Sequence, residues 1–164
     1  MRWTTYLPGH FELARGTPAD YFALERFHYR AGRPATWAGV WVVRHVDGGA
    51  RRVVAVGVLS YPCVAGAARD RALGLERIGA RERLRFVNAN VRTISRVVVH
   101  PQFRAMGLAS RLVRTMCARA GVRWVEALAA MGRVHPFFAR GGMREVGVTP
   151  KGVVYYLFDR EGER

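Results

Sequence analysis

Lysine is nearly missing from this chain. Of its 27 lysine and arginine residues, Lys151 is the sole lysine. Cysteine is scarce too: Cys63 and Cys117 stand far apart and at no metal-ligand spacing. That argues against a disulfide framework or a cysteine zinc site and suits a reduced, cytoplasmic compartment. No apolar run approaches the roughly 18 residues of a membrane span. The opening "MRWTTYLPGH" has no apolar core of the export-signal kind, so neither export nor membrane insertion is expected. Repeats and low-complexity tracts are absent, and 164 residues suit one domain over 1–164.

What is present is a folded composition, 50% apolar and 24% charged, with a net charge of +15. Arginine binds phosphate through paired donors and stacks on bases, so a nucleic acid or other polyanion is one partner class the charge fits. The other reading is coding bias, since alanine, glycine and valine are abundant as well. The charge alone does not decide between them.

Patterning gives the elements. "FELARGT" (11–17) reads as a strand. Thr17, Pro18 and Asp20 then supply a cap, a first-turn proline and a capping acid for a helix over "TPADYFALERFHYR", closed by "AGRPAT". Tyr21, Phe22, Leu24 and Phe27 are its expected buried stripe. "WAGVWVVRHV" (37–46) and "RRVVAVGVLSY" (51–61) flank "DGGA" as an antiparallel hairpin. The segment 64–92 has the composition of one helix, or of two short ones broken near Gly79, and reads as a charged surface insertion able to act as a lid. "TISRVVV" (93–99) is a strand, and "GLASRLVRTMCARAG" a helix with Leu108, Leu112, Val113, Met116 and Cys117 on its apolar stripe. Cys117 is thus a core residue. "VRWVEALAA" and "GVVYYLF" (152–158) are strands around a short helix in "HPFFARGG". This order predicts an α/β (α+β) fold, one mixed sheet with helices on its faces. "GVVYYLF" suits either a covered strand or an edge that pairs with a second subunit as a dimer.

The most informative stretch is "HPQFRAMGLASRL" (100–112), a strand feeding a helix through one glycine. The first turn of a helix carries free N–H groups and a partial positive charge, and an anion sits well there. Gly107 lets backbone approach a ligand, Arg104 adds charge, and Ser110 adds a hydroxyl. The run "VVVHPQFRAMGLASRLV" resembles the acyl-CoA loop of the GNAT superfamily of N-acyltransferases. Arg104, Gly107 and Ala109 fall on its (Arg/Gln)-x-x-Gly-x-(Gly/Ala) positions. "EALAAMGRVHPFFARGGM" resembles the next strand, short helix and "FYxxxGF" segment of that family.

The resemblance implies a mostly antiparallel sheet splayed between strands 93–99 and 123–129. It implies acetyl-CoA, or another acyl-CoA, with pyrophosphate held at 104–110 (Arg104, Ala105, Met106, Gly107, Leu108, Ala109, Ser110). The pantetheine arm would lie along Val97, Val98 and Val99, with Phe138 nearby. At the positions where the family often has a carboxylate base, an asparagine and a thiolate-protonating tyrosine, this chain has Thr93, Met131 and Phe138. Catalytic candidates therefore come from elsewhere. His135 precedes the short helix and is a base near neutrality by type. His28 and Tyr29 end the first helix, and Glu126 stands mid-strand, where a carboxylate is either paired with an arginine or raised in pKa. His100 reads as structural. His10 and His45 have no partner at ligand spacing, so no metal is expected.

The acceptor stays open between three readings. One is N-acetyl transfer to a nucleic acid or other polyanion; "FHYRAGRP" weakly resembles the phage Mom DNA-modification group, and the arrangement resembles acetyltransferase domains fused to ABC-type ATPases. The second is transfer to a small amine or a protein N-terminus. The third is a module that binds CoA or nucleic acid without turnover.

Overall fold

Valine-rich segments on either side of a Gly-Gly turn start the sheet. The computed structural model, which describes residues 1–29, 32–132 and 134–162, pairs β3 (Gly39–Asp47) with β4 (Ala50–Ser60) antiparallel. Gly48 and Gly49 both have positive φ, 52° and 86°. That is the backbone of a type I′ hairpin turn, which other residues enter at a cost.

Around this hairpin the strands follow the order β1-β2-β3-β4-β5-β6-β8-β7 in one eight-stranded sheet. The others are β1 (Arg2–Trp3), β2 (His10–Arg15), β5 (Val91–Val99), β6 (Trp124–Ala129), β7 (Arg144–Val148) and β8 (Val154–Asp159). Every neighbouring pair is antiparallel except β5 and β6. The mixed, mostly antiparallel sheet expected from the sequence is therefore present. β1 and β7 were not anticipated, and β8 lies between β6 and β7. "GVVYYLF" is thus no edge; the edges are β1 and β7.

Helices cover both faces. α4 (Leu108–Arg119) buries Leu108, Leu112, Val113, Met116 and Cys117 against Val43, Val54 and Ala55 of the hairpin, and α5 (Phe137–Arg140) packs beside it. The sheet's other face carries α1 (Pro18–Phe22), α2 (Ala67–Ala72) and α3 (Ala80–Asn90). Among the described residues no helix is long and apolar enough to cross a membrane.

The first helix is shorter than expected. It stops at Phe22 and continues as a 3₁₀ turn over Glu25–Phe27, leaving His28 extended and beyond it; Arg30, its expected end, lies outside the described residues. Tyr21 and Leu24 are buried with Phe27 packed against them, and their spacing of three stacks side chains on one side of a 3₁₀ turn. Phe22, placed in the stripe from sequence, is exposed. Segment 64–92 lies largely exposed and is anchored by a few buried residues. Leu75, Val87 and Val91 form their own buried cluster with Trp124 against it, and α3 runs directly into β5.

Gly141, at the end of α5, lies so close to α4 that an added Cβ would fall 2.4 Å from Val113 Cγ1. Its φ of −81° is open to any residue, so contact alone demands glycine. Gly141→Ala is expected to lower stability by about 1–3 kcal/mol through overpacking, read as a lower urea midpoint with an unchanged slope.

Candidate active site

Sheet pairing prepares the site. β5 and β6 pair through four rungs, from Val91–Trp124 to Ile94–Ala127, and then stop. β5 runs on to Val99 with its other edge still bonded to β4 (Val99 opposite Ala55). The β6-facing edge of residues 95–99 is therefore without a strand partner. Side chains of Val97 and Val99 turn toward α4, while Val98 is buried toward α1. Leu128 near the end of β6, and Met131 and Val134 in the loop after it, are exposed apolar side chains.

The unpaired edge leads straight into the glycine loop. His100 caps a 3₁₀ turn (Pro101–Phe103), and Arg104 then turns extended. Ala105 takes φ 63° and Gly107 φ 74°. A left-handed alanine costs roughly 1–2 kcal/mol, strain that recurs where backbone is shaped for a ligand. α4 makes its first hydrogen bond from Arg111 N–H to the Gly107 carbonyl at 3.1 Å. The N–H groups of Leu108, Ala109 and Ser110 precede it and are free for an anion. The Arg104 Nε donates to the Val99 carbonyl at 3.4 Å, so this charge lies where loop and open edge meet. Met106 packs on the core under the loop.

His100 fixes the loop's start. It is buried, with Phe27 and Phe103 ring centroids 4.8 and 5.9 Å away. Arg52 donates to its Nε2 at 2.7 Å, so a proton there would displace the guanidinium. Burial first, then the charges of Arg52, Arg26 and Arg104, hold the imidazole below its ordinary 6.5.

The catalytic candidates are dispersed. Glu126 lies on the paired part of β6, at the base of the fork. Its Oε1 accepts from Arg69 Nη1 at 3.2 Å and Thr93 Oγ1 at 2.8 Å, and its Oε2 from the Tyr155 hydroxyl at 3.0 Å. Of the two readings of this carboxylate, the pairing with arginine is the one observed. Arg69 is itself buried, donates to the carbonyls of Cys63 and Val64, and lies 3.5 Å from Asp70. Gly66 makes room for it: a Cβ there would fall 2.6 Å from Nη2. Burial and the Glu126 charge push the Tyr155 hydroxyl well above its ordinary range.

His135 is exposed on the loop after β6, its N–H bonded to the Met131 carbonyl at 2.9 Å. The His28 and Tyr29 rings lie tilted at 34° with centroids 4.7 Å apart, and Tyr29 is exposed. Phe138 is buried and stacks on Tyr156 at 5.4 Å, whose hydroxyl donates to the Gly132 carbonyl. Among the described residues no group of three His, Cys, Asp or Glu side chains is placed to hold a metal.

Sequence reasoning missed the fork's polar neighbours. A bulge between Val58 and Leu59 displaces Ser95, whose Oγ lies 2.7 Å from that of buried Ser60. Next to it Arg96 is buried as well. Only the break in hydrophobic alternation, "ISRV" inside a valine strand, hints at them.

No family model matches the sequence, and no curated protein matches it. Solved structures do. Agmatine N-acetyltransferase aligns with a TM-score of 0.53 at 14% identity over 91% of this chain and 99% of its own. Aminoglycoside acetyltransferase AAC(6')-Ib, in complex with coenzyme A and kanamycin, gives 0.54 at 16% over 92% and 95%. Ard1 from Thermoplasma volcanium gives 0.55 at 15% over 90% and 95%. The chain has the GNAT fold, that of these N-acetyltransferases.

Two outcomes test this geometry. Glu126→Gln leaves Arg69 buried with a weakened partner and is expected to cost about 3–5 kcal/mol of stability, seen as a lower melting temperature. For His100, the unfolded chain gains a proton near pH 6.5 that the folded chain refuses until lower pH. Stability therefore falls as pH drops below 6.5, and His100→Gln is expected to flatten that slope in denaturation curves from pH 7.5 to 5.5.

Proposed function

We propose that this protein is an acetyl-CoA-dependent N-acetyltransferase. The observation that carries the reading is the continuity of an unpaired strand edge with a strained, N–H-rich loop. An extended amide-bearing arm can add to the edge as a strand does, and its diphosphate can end on the helix start. The residues fit that group. Backbone N–H groups of Leu108, Ala109 and Ser110, with Arg104 beside them, suit pyrophosphate, and the exposed apolar side chains of Leu128, Met131 and Val134 suit an aliphatic arm. Bound acetyl-CoA supplies the activated acyl group.

The chain's own work is to seat an amine at the fork and remove its proton, while the departing sulfur takes its proton from solvent. We assign the base to His135, exposed on the loop that leaves the free end of β6. Glu126 is held by three donors and buried, so its part is to fix the fork. His28 and Tyr29 flank the acceptor's entry. Phe138 has no proton to give, so solvent protonates the thiolate. Many of the arginines lie on aromatic rings or carboxylates, as in Arg15 on Trp41, Arg111 on Trp3 and Arg123 with Asp159.

Calorimetry with coenzyme A, followed by thiol release during acetyl transfer to a panel of amines, tests the assignment. Gly107→Glu places a carboxylate where the pyrophosphate sits and is expected to abolish binding; unchanged affinity would sink the loop assignment. His135→Ala is expected to lower kcat by about a hundredfold or more with CoA affinity intact. Full activity in that variant returns the histidine to a surface role.

A further inference from the structure

Among the described residues two arginines are buried, and they are treated differently. Arg69 meets two carboxylates, Glu126 and Asp70. Arg96, 9% exposed, meets only neutral carbonyls: Nη1 donates to Ser95 at 2.8 Å and Nη2 to Gly32 at 3.3 Å. Its Nε, like that of Arg69, is buried with no hydrogen-bond partner among the described residues, but where Arg69 Nε has the Asp70 carboxylate 3.5 Å away, no carboxylate is paired with Arg96. A guanidinium held out of water without an anion is among the costliest arrangements a side chain can take. Nε and Nη2 form one edge of the fork-shaped group, the edge that takes a carboxylate or phosphate through two parallel bonds. Here that edge holds one long bond and one orphan donor.

Its place in the fold gives the edge a use. Arg96 lies opposite Val58 of β4, two residues past the last β5–β6 rung. Its neighbour Val98 on the same face packs toward α1, while α4 and α5 close the opposite face of the gap. An acceptor must come from the α1 side, past the segment that carries Gly32. The hydroxyl pair of Ser60 and Ser95 borders the same point.

We propose that Arg96 recognises the acceptor through an anionic group, so that the substrate is a small amine that also carries a carboxylate or a phosphate monoester. The anion takes the Nε–Nη2 edge, replacing the Gly32 carbonyl on Nη2, and sets the amine at the fork. A nucleic-acid backbone is too bulky to reach a donor buried beneath this segment. The inference rests on the N-acetyltransferase reading for its chemistry, but the anion site can be measured without it.

The full chain is titrated with succinate, alone and saturated with CoA, and with inorganic phosphate in the CoA-saturated protein, where the loop is already filled. The melting temperature is followed throughout. One of the two anions is expected to raise it in the wild type and not in Arg96→Gln, with Arg96→Lys keeping part of the effect. The anion that acts names the source. In parallel, acetyl transfer is measured for amino acids against their amides and for phosphoethanolamine against ethanolamine. The charged member of a pair should be preferred, and Arg96→Gln should raise its KM about thirtyfold or more with kcat little changed. Absence of any shift with both anions overturns the proposal. So does an equal loss for charged and neutral amines in Arg96→Gln, or acetylation of duplex DNA that the variant leaves intact. Should Arg96→Gln fail to fold, Arg96→Lys alone decides by the same KM comparison. Failure of CoA binding in calorimetry sinks the enzyme reading and leaves the succinate arm standing.

Discussion

Two parallel strands that separate after a few rungs leave a row of backbone donors and acceptors without a sheet partner, and folded chains keep such groups only where solvent or a ligand satisfies them. β5 and β6 part after Ile94 and Ala127. What holds them together up to that point is a buried polar knot, with Glu126 on β6 bonded to Thr93 on β5, Tyr155 on β8 and Arg69 of α2. Three separate segments meet at one carboxylate, so the fork has a fixed base. The bulge at Ser95 follows immediately on the β4 side, where the strand must change direction to leave its neighbour.

The fork also orders the two ends of the site. Toward the C-terminus of β5 the open edge enters the loop at His100, whose ring is wedged between Phe27 and Phe103. Pro101 follows it, and the strained Ala105 and Gly107 aim the start of α4. A helix with a rigid entry offers its N–H groups in one direction, as anion binding needs. Strain at Ala105 is tolerable because the 3₁₀ turn before it and the helix after it are both anchored by buried residues, Phe103 and Leu108.

The sequence made the loop legible because everything in it is local: a proline, a glycine and an apolar stripe within a dozen residues. The hairpin, read from "DGGA", was legible for the same reason. The knot was not, since Arg69 and Glu126 lie 57 residues apart and only the fold joins them. From the sequence, Glu126 could be either a paired ion or a raised-pKa base; the fold shows it bonded to Arg69. β1 is two residues long and β7 has Gly147 as the fourth of its five residues, so neither has the alternation that marks a strand, and both exist because a neighbouring edge was there to pair with. The first helix failed through spacing: residues three apart favour a 3₁₀ turn once Tyr21 and Leu24 must both be buried.

Arginine in place of lysine acquires a structural reason in this setting. A lysine at position 69 could not reach Glu126 and two backbone carbonyls at once, because an ammonium is a point charge while a guanidinium is a planar fork. The same planarity lets arginines lie over Trp3, Trp41 and Trp124, covering apolar rings with groups that stay charged. Most of this use is scaffold. Arg96 differs because its guanidinium is buried on neutral carbonyls with Nε unpartnered. Among the described residues Arg69 has two carboxylates beside it and Arg96 has none. Left to neutral carbonyls, the Arg96 charge has no carboxylate partner among the described residues, the arrangement a buried guanidinium tolerates least.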